Sequence, residues 1–240
     1  MSENSTNKRK TLSCLIVARN EQAMLPDCLK SLRFADQIVV VLDRTTDDSK
    51  AIAHQAGALI IEGSWPSEGE RRNTGIAACT SDWILEVDAD ERATESVAQE
   101  VTGLIQSSPD GLYLIPIRNM IGDREVRYGW GAYNGAASAP RLFSKGAKIW
   151  GPERVHPSLQ TGARLGSLSH GLIHLVDKDL ADMFDRMNRY TTLMAQDAVD
   201  KNTVPSLSSA LRRVLTRGWK SYILQIHLKA REILERQNRQ

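Results

Sequence analysis

Short apolar runs alternate with segments of helical periodicity over the first half of the chain. Each run is bounded by polar or turn-forming residues, which is typical of a buried strand. The segments between the runs space their apolar residues as one helix face requires, as Met24, Cys28 and Leu32 show. The pattern predicts strands over 12–17, 37–42, 58–61 and 83–87, and helices over 21–32, 45–56, 68–79 and 95–106.

This alternation predicts an α/β protein with an open, mostly parallel sheet and helices on both faces. Residues 38–42 are apolar throughout, as in a parallel strand that is covered on both sides. Thr45 and Asp48 resemble a capping box at the start of the second helix. Because ligands bind beyond the carboxyl ends of such strands, the residues that follow each strand are the first candidates for a site.

The second half of the chain has a different pattern. Segments 111–118 and 140–143 and the glycine-rich span 129–135 predict irregular or antiparallel strands, which we expect to shape the pocket of a second substrate. Tyr128, Trp130 and Tyr133 lie in or beside the glycine-rich span, where they either stack on that second substrate or pack in the fold.

Helical patterns end the chain and set its predicted domains. Pro205 separates a polar helix over 177–201 from a basic amphipathic helix that runs from 208 to about 236. We expect a disordered tail over 1–10, one catalytic domain over 11–204 and a C-terminal helical extension over 205–240. Within the catalytic domain we expect a first half that binds one ligand at its strand ends (11–92), a second half that shapes the pocket of the second substrate (93–176) and a packing helix (177–204).

Composition excludes several classes of protein. The 240 residues are 41% hydrophobic and 25% charged, as in ordinary globular domains, and no run approaches the roughly 20 apolar residues of a membrane span. Cys14, Cys28 and Cys79 lie far apart in apolar surroundings, which favours reduced core thiols over disulfides or a zinc site. The polar N-terminus lacks the apolar segment of a signal peptide, so the sequence predicts a cytoplasmic protein.

Charge is distributed unevenly along the chain. From Pro205 onward there are eight basic and two acidic residues, a net charge of +6, so the first 204 residues carry −4 of the overall +2. The basic helix suits an anionic membrane surface, which would place the protein peripherally on the inner face of the cytoplasmic membrane. Packing of the same helix on the catalytic domain is the equal alternative.

Carboxylates cluster where two of the predicted strands end. Asp43 follows the second strand, and Asp88, Asp90 and Glu91 follow the fourth. If the fourth strand continues, Asp88 and Asp90 point to the same side, because side chains repeat every second residue. Two ionised carboxylates in that position repel each other, so we expect a divalent cation or a row of hydroxyl groups between them.

These features together resemble the GT-A glycosyltransferases of family 2, and within them the lipopolysaccharide core β-glucosyltransferases. The resemblance covers about 12–197. A lone Asp-x-Asp motif would be weak evidence for it, but the whole set of motifs in this order is specific. It rests on the following residues: Val17-Ala18-Arg19-Asn20-Glu21, Asp43, Arg72-Asn73, Asp88-Ala89-Asp90-Glu91, Arg141-Leu142-Phe143, Val155-His156 and His174.

The resemblance implies a GT-A fold that binds a UDP-sugar donor with Mg²⁺ or Mn²⁺. It implies that Asp90, Asp88 and His174 hold the metal, which neutralises charge on the departing diphosphate. It also implies a set of nucleotide-binding residues: Ala18, Arg19, Glu21, Asp43, Arg72 and Asp88. The expected reaction is an inverting transfer of a hexose to a saccharide or lipid-linked acceptor in cell-envelope polysaccharide or lipopolysaccharide biosynthesis.

The catalytic base is where the sequence departs from the family pattern. Relatives carry Val-His-Glu in this region, whereas this chain has Val155-His156-Pro157. Glu153 is the nearest carboxylate that can replace the missing glutamate, and His156 is the weaker candidate. The departure leaves both the base and the activity open.

Each of these residues also has a purely structural interpretation. Asp43 can cap a helix, as can the Asp88 and Asp90 turn, and Arg19 with Glu21 can be a surface pair at a helix start. A solvated helix arginine accounts for Arg72 equally well. For His174, a hydrogen-bonded core histidine is the more common case.

Other functions fit the sequence less well. A dinucleotide dehydrogenase needs a glycine-rich turn after its first strand, and residues 17–21 contain no glycine. An aspartyl phosphatase would carry its aspartates after the first strand. A sugar nucleotidyltransferase and a catalytically impaired nucleotide-sugar-binding protein remain alternatives. The basic tail alone does not make a nucleic-acid-binding module, since no recognised motif accompanies it.

Overall fold

Parallel strands and helices alternate from the start of the fold, as the apolar pattern predicts. The computed structural model describes residues 9–126, 137–153, 157–177, 179–209, 230–231 and 233–236. The helices in these ranges are α1 (Leu25–Ser31), α2 (Ser49–Gln55), α3 (Glu68–Ala78), α4 (Glu95–Ser107) and α5 (Leu180–Asp200). The strands are β1 (Leu12–Ala18), β2 (Gln37–Asp43), β3 (Leu59–Gly63), β4 (Trp83–Asp88), β5 (Glu91–Arg92), β6 (Leu112–Ile121), β7 (Arg124–Glu125), β8 (Ser138–Ser144), β9 (Lys148–Trp150), β10 (Leu159–Thr161), β11 (Arg164–Ser167) and β12 (Leu172–Asp177).

One large sheet runs through both halves of the described chain. Its strand order is β3-β2-β1-β4-β8-β6-β12-β5, and β7 and β11 pair with β6 beside this path. The first four strands are parallel, whereas β8 is antiparallel to both β4 and β6. A separate hairpin consists of β9 and β10. The predicted α/β class and the parallel first half are therefore confirmed, as are antiparallel strands at 111–118 and 140–143, whereas β11 and β12 are parallel to β6.

Hydrophobic cores lie on both faces of the sheet. Alternate residues of β4 point to opposite sides, so Trp83 and Leu85 belong to one core and Ile84 to the other. Helices α1 and α4 cover the first core, and α3 covers the second. Burial on both faces is why β1 and β2 are apolar along almost their whole length.

Two predicted helix starts are wrong. Helix α2 begins at Ser49 rather than 45, because the Asp47 carboxylate accepts the Ser49 N–H at 3.0 Å and the Thr45 hydroxyl makes no hydrogen bond. Helix α1 begins at Leu25 rather than 21. It follows a turn in which the Glu21 carbonyl oxygen accepts the N–H groups of Met24 and Leu25. The capping box at Thr45 and Asp48 is not formed.

The polar helix of the second half also begins later than predicted. Helix α5 starts at Leu180 with Asp179 as its N-cap, whereas Asp177 is the last residue of β12. The Asp177 carboxylate accepts two hydrogen bonds from Arg186, at 2.9 and 2.7 Å, and so joins the strand to the helix. Of the predicted basic helix over 208–236, residues 210–229 lie outside the described residues, as does the glycine-rich span.

The three cysteines are buried free thiols, as predicted. Burial raises the pKa of Cys28 and of Cys79 to about 12, so both remain protonated at neutral pH. Across the part of the chain that the structure describes, no helix has the length and apolar character to cross a membrane.

Two helical glycines should respond oppositely to alanine. A Cβ added at Gly75 in α3 would lie 2.4 Å from Leu15 Cδ1 and 2.8 Å from Val41 Cγ2, whereas at Gly103 in α4 it meets nothing within 4 Å. We expect Gly75→Ala to lower the free energy of unfolding by about 1–3 kcal/mol through overpacking. Gly103→Ala should raise it by about 0.5–1 kcal/mol through helix propensity. Urea titrations measure both, and equal effects at the two sites would contradict this close contact of α3 with the sheet.

Candidate functional site

The predicted site residues converge because neighbouring parallel strands end together. Val17 lies opposite Asp88 in the β1 and β4 pairing, and Ala18 lies opposite Leu42 in the β1 and β2 pairing. The loops that follow these strands carry Arg19 to Glu21, Asp43 and Ala89 to Glu91. All of them therefore meet at one edge of the sheet, where ligands of open α/β sheets bind.

Asp88 is held by two arginines. One carboxylate oxygen accepts Arg72 Nη2 at 3.0 Å, and the other accepts Arg141 Nη2. Burial alone would raise the pKa of Asp88, but the charges of Arg141 and Arg72 lower it well below its usual range. The sequence predicted that a divalent cation or hydroxyl groups would balance the charge of Asp88. In the structure, the guanidinium groups of Arg72 and Arg141 balance it.

Strand β4 ends at Asp88, so Asp90 does not continue its face as the sequence suggested. Residues 89 and 90 form a turn, which the buried Glu91 stabilises from below. One Glu91 oxygen accepts the Asp88 N–H at 2.9 Å and the other accepts Arg141 Nη2 at 2.8 Å. Arg92 donates to the carbonyl oxygens of Ala89 and Met24, both at 2.8 Å, and so anchors the turn to the residue preceding α1.

Beneath Asp88 lies a second, fully buried carboxylate. Glu86 is 0% exposed and lies on the same face of β4, two residues earlier. One of its oxygens accepts Arg72 Nη1 at 2.7 Å and the other accepts Lys148 Nζ. Arg72 is therefore a buried bridge between carboxylates, not a solvated helix arginine, and its remaining Nε donates to Glu68 at 2.9 Å.

Asp90 faces a histidine from the far part of the sheet. His174 Nε2 lies 3.3 Å from Asp90 Oδ2, and His174 Nδ1 lies 2.8 Å from Asn119 Oδ1. Strand pairing fixes this geometry, because His174 of β12 lies opposite both Asn119 of β6 and Glu91 of β5. Burial lowers the pKa of His174, but the hydrogen bond and charge of Asp90 outweigh it, so the pKa is raised.

The residues at this point fit a Mg²⁺ or Mn²⁺ ion. Asp90 is 39% exposed, and a neutral His174 with its proton on Nδ1, donated to Asn119 Oδ1, would present its Nε2 lone pair beside a carboxylate oxygen. Among the described residues no three His, Cys, Asp or Glu side chains form a complete metal site. Magnesium sites commonly use one or two carboxylates with substrate phosphates, so Asp90 would supply the protein carboxylate of such a site, and a neutral His174 would suit Mn²⁺ better than Mg²⁺.

The loops after β1 and β2 are joined by hydrogen bonds. Asn20 has a positive φ of 57°, and its side-chain oxygen accepts the Thr46 N–H at 2.8 Å. The Glu21 N–H donates to Ser49 Oγ at 3.0 Å. Burial and the negative charge of Asp90 raise the pKa of Glu21. Arg19 is exposed beside this joined pair of loops.

Asp43 is buried at the end of β2 and caps no helix. One oxygen accepts the Trp65 N–H at 3.3 Å, and the other lies 2.8 Å from Arg44 Nη2 and 3.4 Å from Arg71 Nη1. Burial opposes ionisation, but these hydrogen bonds and charges lower the pKa of Asp43. Its position at the sheet edge suits the predicted nucleotide contact, and the two arginines add positive charge there.

One of the two candidate bases, Glu153, lies between β9 and β10. Glu153 is exposed, and its Oε2 accepts the Ser158 N–H at 2.8 Å and the Ser158 hydroxyl at 3.1 Å. These hydrogen bonds lower the pKa of Glu153. They join Glu153 to Ser158 and not to Asp88, Asp90 or His174. His156 lies outside the described residues, as do the three aromatic residues predicted to stack on an acceptor.

Sequence reasoning missed several residues that build the site. It gave no role to Glu86, Arg141, Lys148 or Asn119, although all four contact predicted site residues or their partners. A signal was present for Glu86, since a glutamate inside an apolar strand needs a buried counter-charge. Arg141 was marked only by the family resemblance, and no signal marks Lys148, because the partners of these cations lie 53 and 62 residues away along the chain.

Comparison with known proteins identifies the family. A model described as glycosyl transferase family 2 matches residues 13–156, which is more than half of the chain. The chain belongs to this family, as its motifs predicted. The matched region begins in β1 and includes Asp43, Arg72, Asp88, Asp90, Arg141 and Lys148.

Individual relatives cover different parts of the chain. An uncharacterized glycosyltransferase of Rickettsia felis is 32% identical over 104 residues, which are 43% of this chain and 37% of that protein. The lipopolysaccharide core biosynthesis glycosyltransferase LpsC of Rhizobium meliloti is 24% identical over 212 residues, 81% of this chain and 74% of that protein. A Mn²⁺ and UDP complex of glucosyl-3-phosphoglycerate synthase from Mycobacterium tuberculosis aligns with a TM-score of 0.39 and 21% identity, over 46% of this chain and 44% of that one.

Removal of the buried charge at Glu86 should make the fold less sensitive to acid. Burial raises the pKa of Glu86, but Lys148 and Arg72 lower it to about 2, below the value of 4.5 expected in the unfolded chain. The ionised carboxylate therefore stabilises the fold fully above about pH 4.5, and this contribution is lost as the pH falls toward 2.

We expect Glu86→Gln to reduce the slope of unfolding free energy against pH in this window, by up to about 1.4 kcal/mol per pH unit. Urea titrations across the window measure the slope. The exposed Glu70 of α3 provides the control, since Glu70→Gln should leave the slope unchanged. A slope in Glu86→Gln equal to that of wild type would contradict the assignment of the buried charge.

Proposed function

We propose that this protein is a metal-dependent, inverting glycosyltransferase that moves a hexose from a UDP-sugar to a saccharide or lipid-linked acceptor. The single observation that carries the proposal is the pairing of Asp90 with His174 at the carboxyl edge of the sheet, in a chain of glycosyl transferase family 2. The similarity to LpsC supports an acceptor of the cell envelope.

Asp90 and His174 are the residues proposed to hold Mg²⁺ or Mn²⁺. The bound ion would neutralise negative charge on the nucleotide diphosphate as the sugar departs. Asp90 suits this role because it is the more exposed carboxylate, 39% against 29% for Asp88, and because no arginine contacts it among the described residues. Asn119 keeps the His174 ring in the required orientation.

Asp88 is proposed to bind donor hydroxyl groups instead of sharing the metal. A carboxylate offers roughly four acceptor positions, of which Arg72 and Arg141 occupy two. The remaining lone pairs can accept two adjacent ribose hydroxyl groups. Asp43, Ala18, Arg19 and Glu21 surround the same edge and are proposed to contact the base and ribose.

An inverting transfer needs a base on the face opposite the leaving diphosphate. Glu153 is proposed for this role, with His156 as the second candidate. Glu153 is the nearest described carboxylate to the position of the missing glutamate, and its Oε1 is not used in the hydrogen bonds to Ser158. Those hydrogen bonds lower its pKa, so a transfer that uses Glu153 needs the bound acceptor to displace Ser158 or raise that pKa.

The metal assignment predicts a loss of nucleotide affinity in Asp90→Asn. Wild-type protein should bind UDP in the presence of Mn²⁺, and chelation of the metal should weaken that binding. Asp90→Asn should bind UDP more than about tenfold more weakly in Mn²⁺, because a charged ligand of the ion is lost. Isothermal titration calorimetry measures the affinity. Asp110→Asn, at an exposed position after α4, is the control, and an equal affinity in Asp90→Asn would exclude Asp90 as the metal carboxylate.

Product analysis tests the reaction and its base. Incubation with UDP-sugars and Mn²⁺ should release UDP, whereas release of pyrophosphate from UTP and a sugar phosphate would favour a nucleotidyltransferase. Binding of UDP without turnover of any donor would favour a catalytically impaired protein. Glu153→Gln should lower kcat by about 10²- to 10⁴-fold and leave UDP affinity unchanged. An unchanged kcat would remove Glu153 from the mechanism.

A further inference from the structure

Lys148 is an unusual residue, because it is a lysine buried next to Glu86 below the candidate site. Its side chain is only 1% exposed, although lysine is almost never fully buried unless it is paired. The ammonium group donates to Glu86 and to the Pro140 carbonyl oxygen, the latter at 2.8 Å. It also lies 4.9 Å from the ring centre of Phe143 and 4.5 Å from that of Trp150.

Stability alone is a weak explanation for this ion pair. Two charges lose their hydration when they are buried, and well-packed apolar residues in their place are often as stable or more stable. Glu86 and Lys148 are both among the most buried side chains of the described fold. Their arrangement is better explained by what Glu86 contacts on its other side.

Glu86 connects Lys148 to Asp88, the residue proposed to bind the donor, because Arg72 contacts both carboxylates. The guanidinium group is planar, so its donors have fixed relative directions. When Nη1 is bound to Glu86 at 2.7 Å, Nη2 is directed to Asp88 at 3.0 Å. The position of Glu86 thus sets the angle at which Arg72 meets Asp88.

The charge of Lys148 is needed for this geometry. Without it, Arg72 would be the one remaining cation in hydrogen-bond contact with Glu86 among the described residues. Attraction in a poorly solvated interior is stronger than at the surface, so Arg72 would be drawn toward Glu86 and away from Asp88. Asp88 would then depend on Arg141 alone, which also binds Glu91.

Strand β9 also connects Lys148 to the candidate base Glu153. β9 carries Lys148 and leads directly into the loop that contains Glu153. Asn73 of α3 fixes the end of β9, since it donates to the Trp150 carbonyl oxygen at 2.8 Å and accepts the Trp150 N–H at 3.0 Å. Gly69 permits the close approach, because a Cβ there would lie 1.9 Å from the Gly151 carbonyl oxygen.

We propose that Lys148 is a positioning residue for donor binding, which acts through Glu86 and Arg72 to orient the Asp88 carboxylate. The inference rests on the proposed function, in which Asp88 contacts the donor. Lys148 touches neither donor nor acceptor in this account, and its effect reaches the ligand through two side chains.

A double-mutant cycle tests the proposal, with UDP and Mn²⁺ as the probe. Lys148→Met keeps the length of the side chain and removes its charge. It should weaken UDP binding about tenfold, the size expected when one charge-assisted hydrogen bond is misaligned. Glu86→Gln should weaken binding similarly. The double variant should bind no more weakly than the weaker single variant, because both changes act on one chain of contacts.

Matched controls separate this role from simple stabilisation. Lys145→Met, at an exposed lysine between β8 and β9, should change neither UDP affinity nor the thermal midpoint. If Lys148→Met lowers the midpoint while its UDP affinity stays within twofold of wild type, Lys148 is only structural and the proposal is wrong. If the losses in the two single variants multiply in the double variant, the route through Glu86 is wrong.

Two further outcomes are informative. Should Lys148→Met not fold, Glu86→Gln carries the same prediction of about tenfold weaker UDP binding, and unchanged affinity there overturns the proposal. Wild-type protein that binds no UDP in Mn²⁺ would instead count against the proposed function itself. The two failures are therefore distinguishable in the same set of titrations.

Discussion

Two carboxylates on one buried face of β4 impose the strongest constraint on this structure. Glu86 and Asp88 project toward α3, where apolar side chains fill the rest of the space. An unpaired charge in that position would be very costly, so cations must reach it from other elements. Arg72 comes from α3, Arg141 from β8 and Lys148 from β9. The ionic network thus joins the parallel first half of the sheet to strands of the second half.

The network also separates the roles of two aspartates that a linear motif treats as equivalent. Asp88 is the last residue of β4, and Arg72 balances its charge, whereas Asp90 lies in the following turn and contacts His174. Glu91 makes this separation rigid, because it binds both Arg141 and the Asp88 amide. The proposed metal ion would meet less fixed positive charge at Asp90, because among the described residues no lysine or arginine contacts it and His174 is its ionisable partner.

Much of this could be predicted from the sequence, and the reasons for the remainder are physical. Apolar period and strand-end position identified the sheet, its parallel half and the cluster of Asp43, Asp88 and Asp90. The start of α2 was wrong because two nearby aspartates can both bond to a helix amide, and Asp47 rather than Asp48 does so. The partners of Asp88 and Glu86 depend on packing between distant segments, which local pattern does not encode.

Preorganisation gives the network its functional meaning. Dipoles and charges that are already oriented cost no reorganisation when a ligand arrives. All three guanidinium nitrogens of Arg72 are hydrogen-bonded to carboxylates, and its contact with Glu86 is supported in turn by Lys148. Residues so coupled have no independent energies, because moving one changes the partners of the next. In the proposed function, the affinity for the nucleotide donor is then a property of the network as a unit, including side chains that no ligand touches.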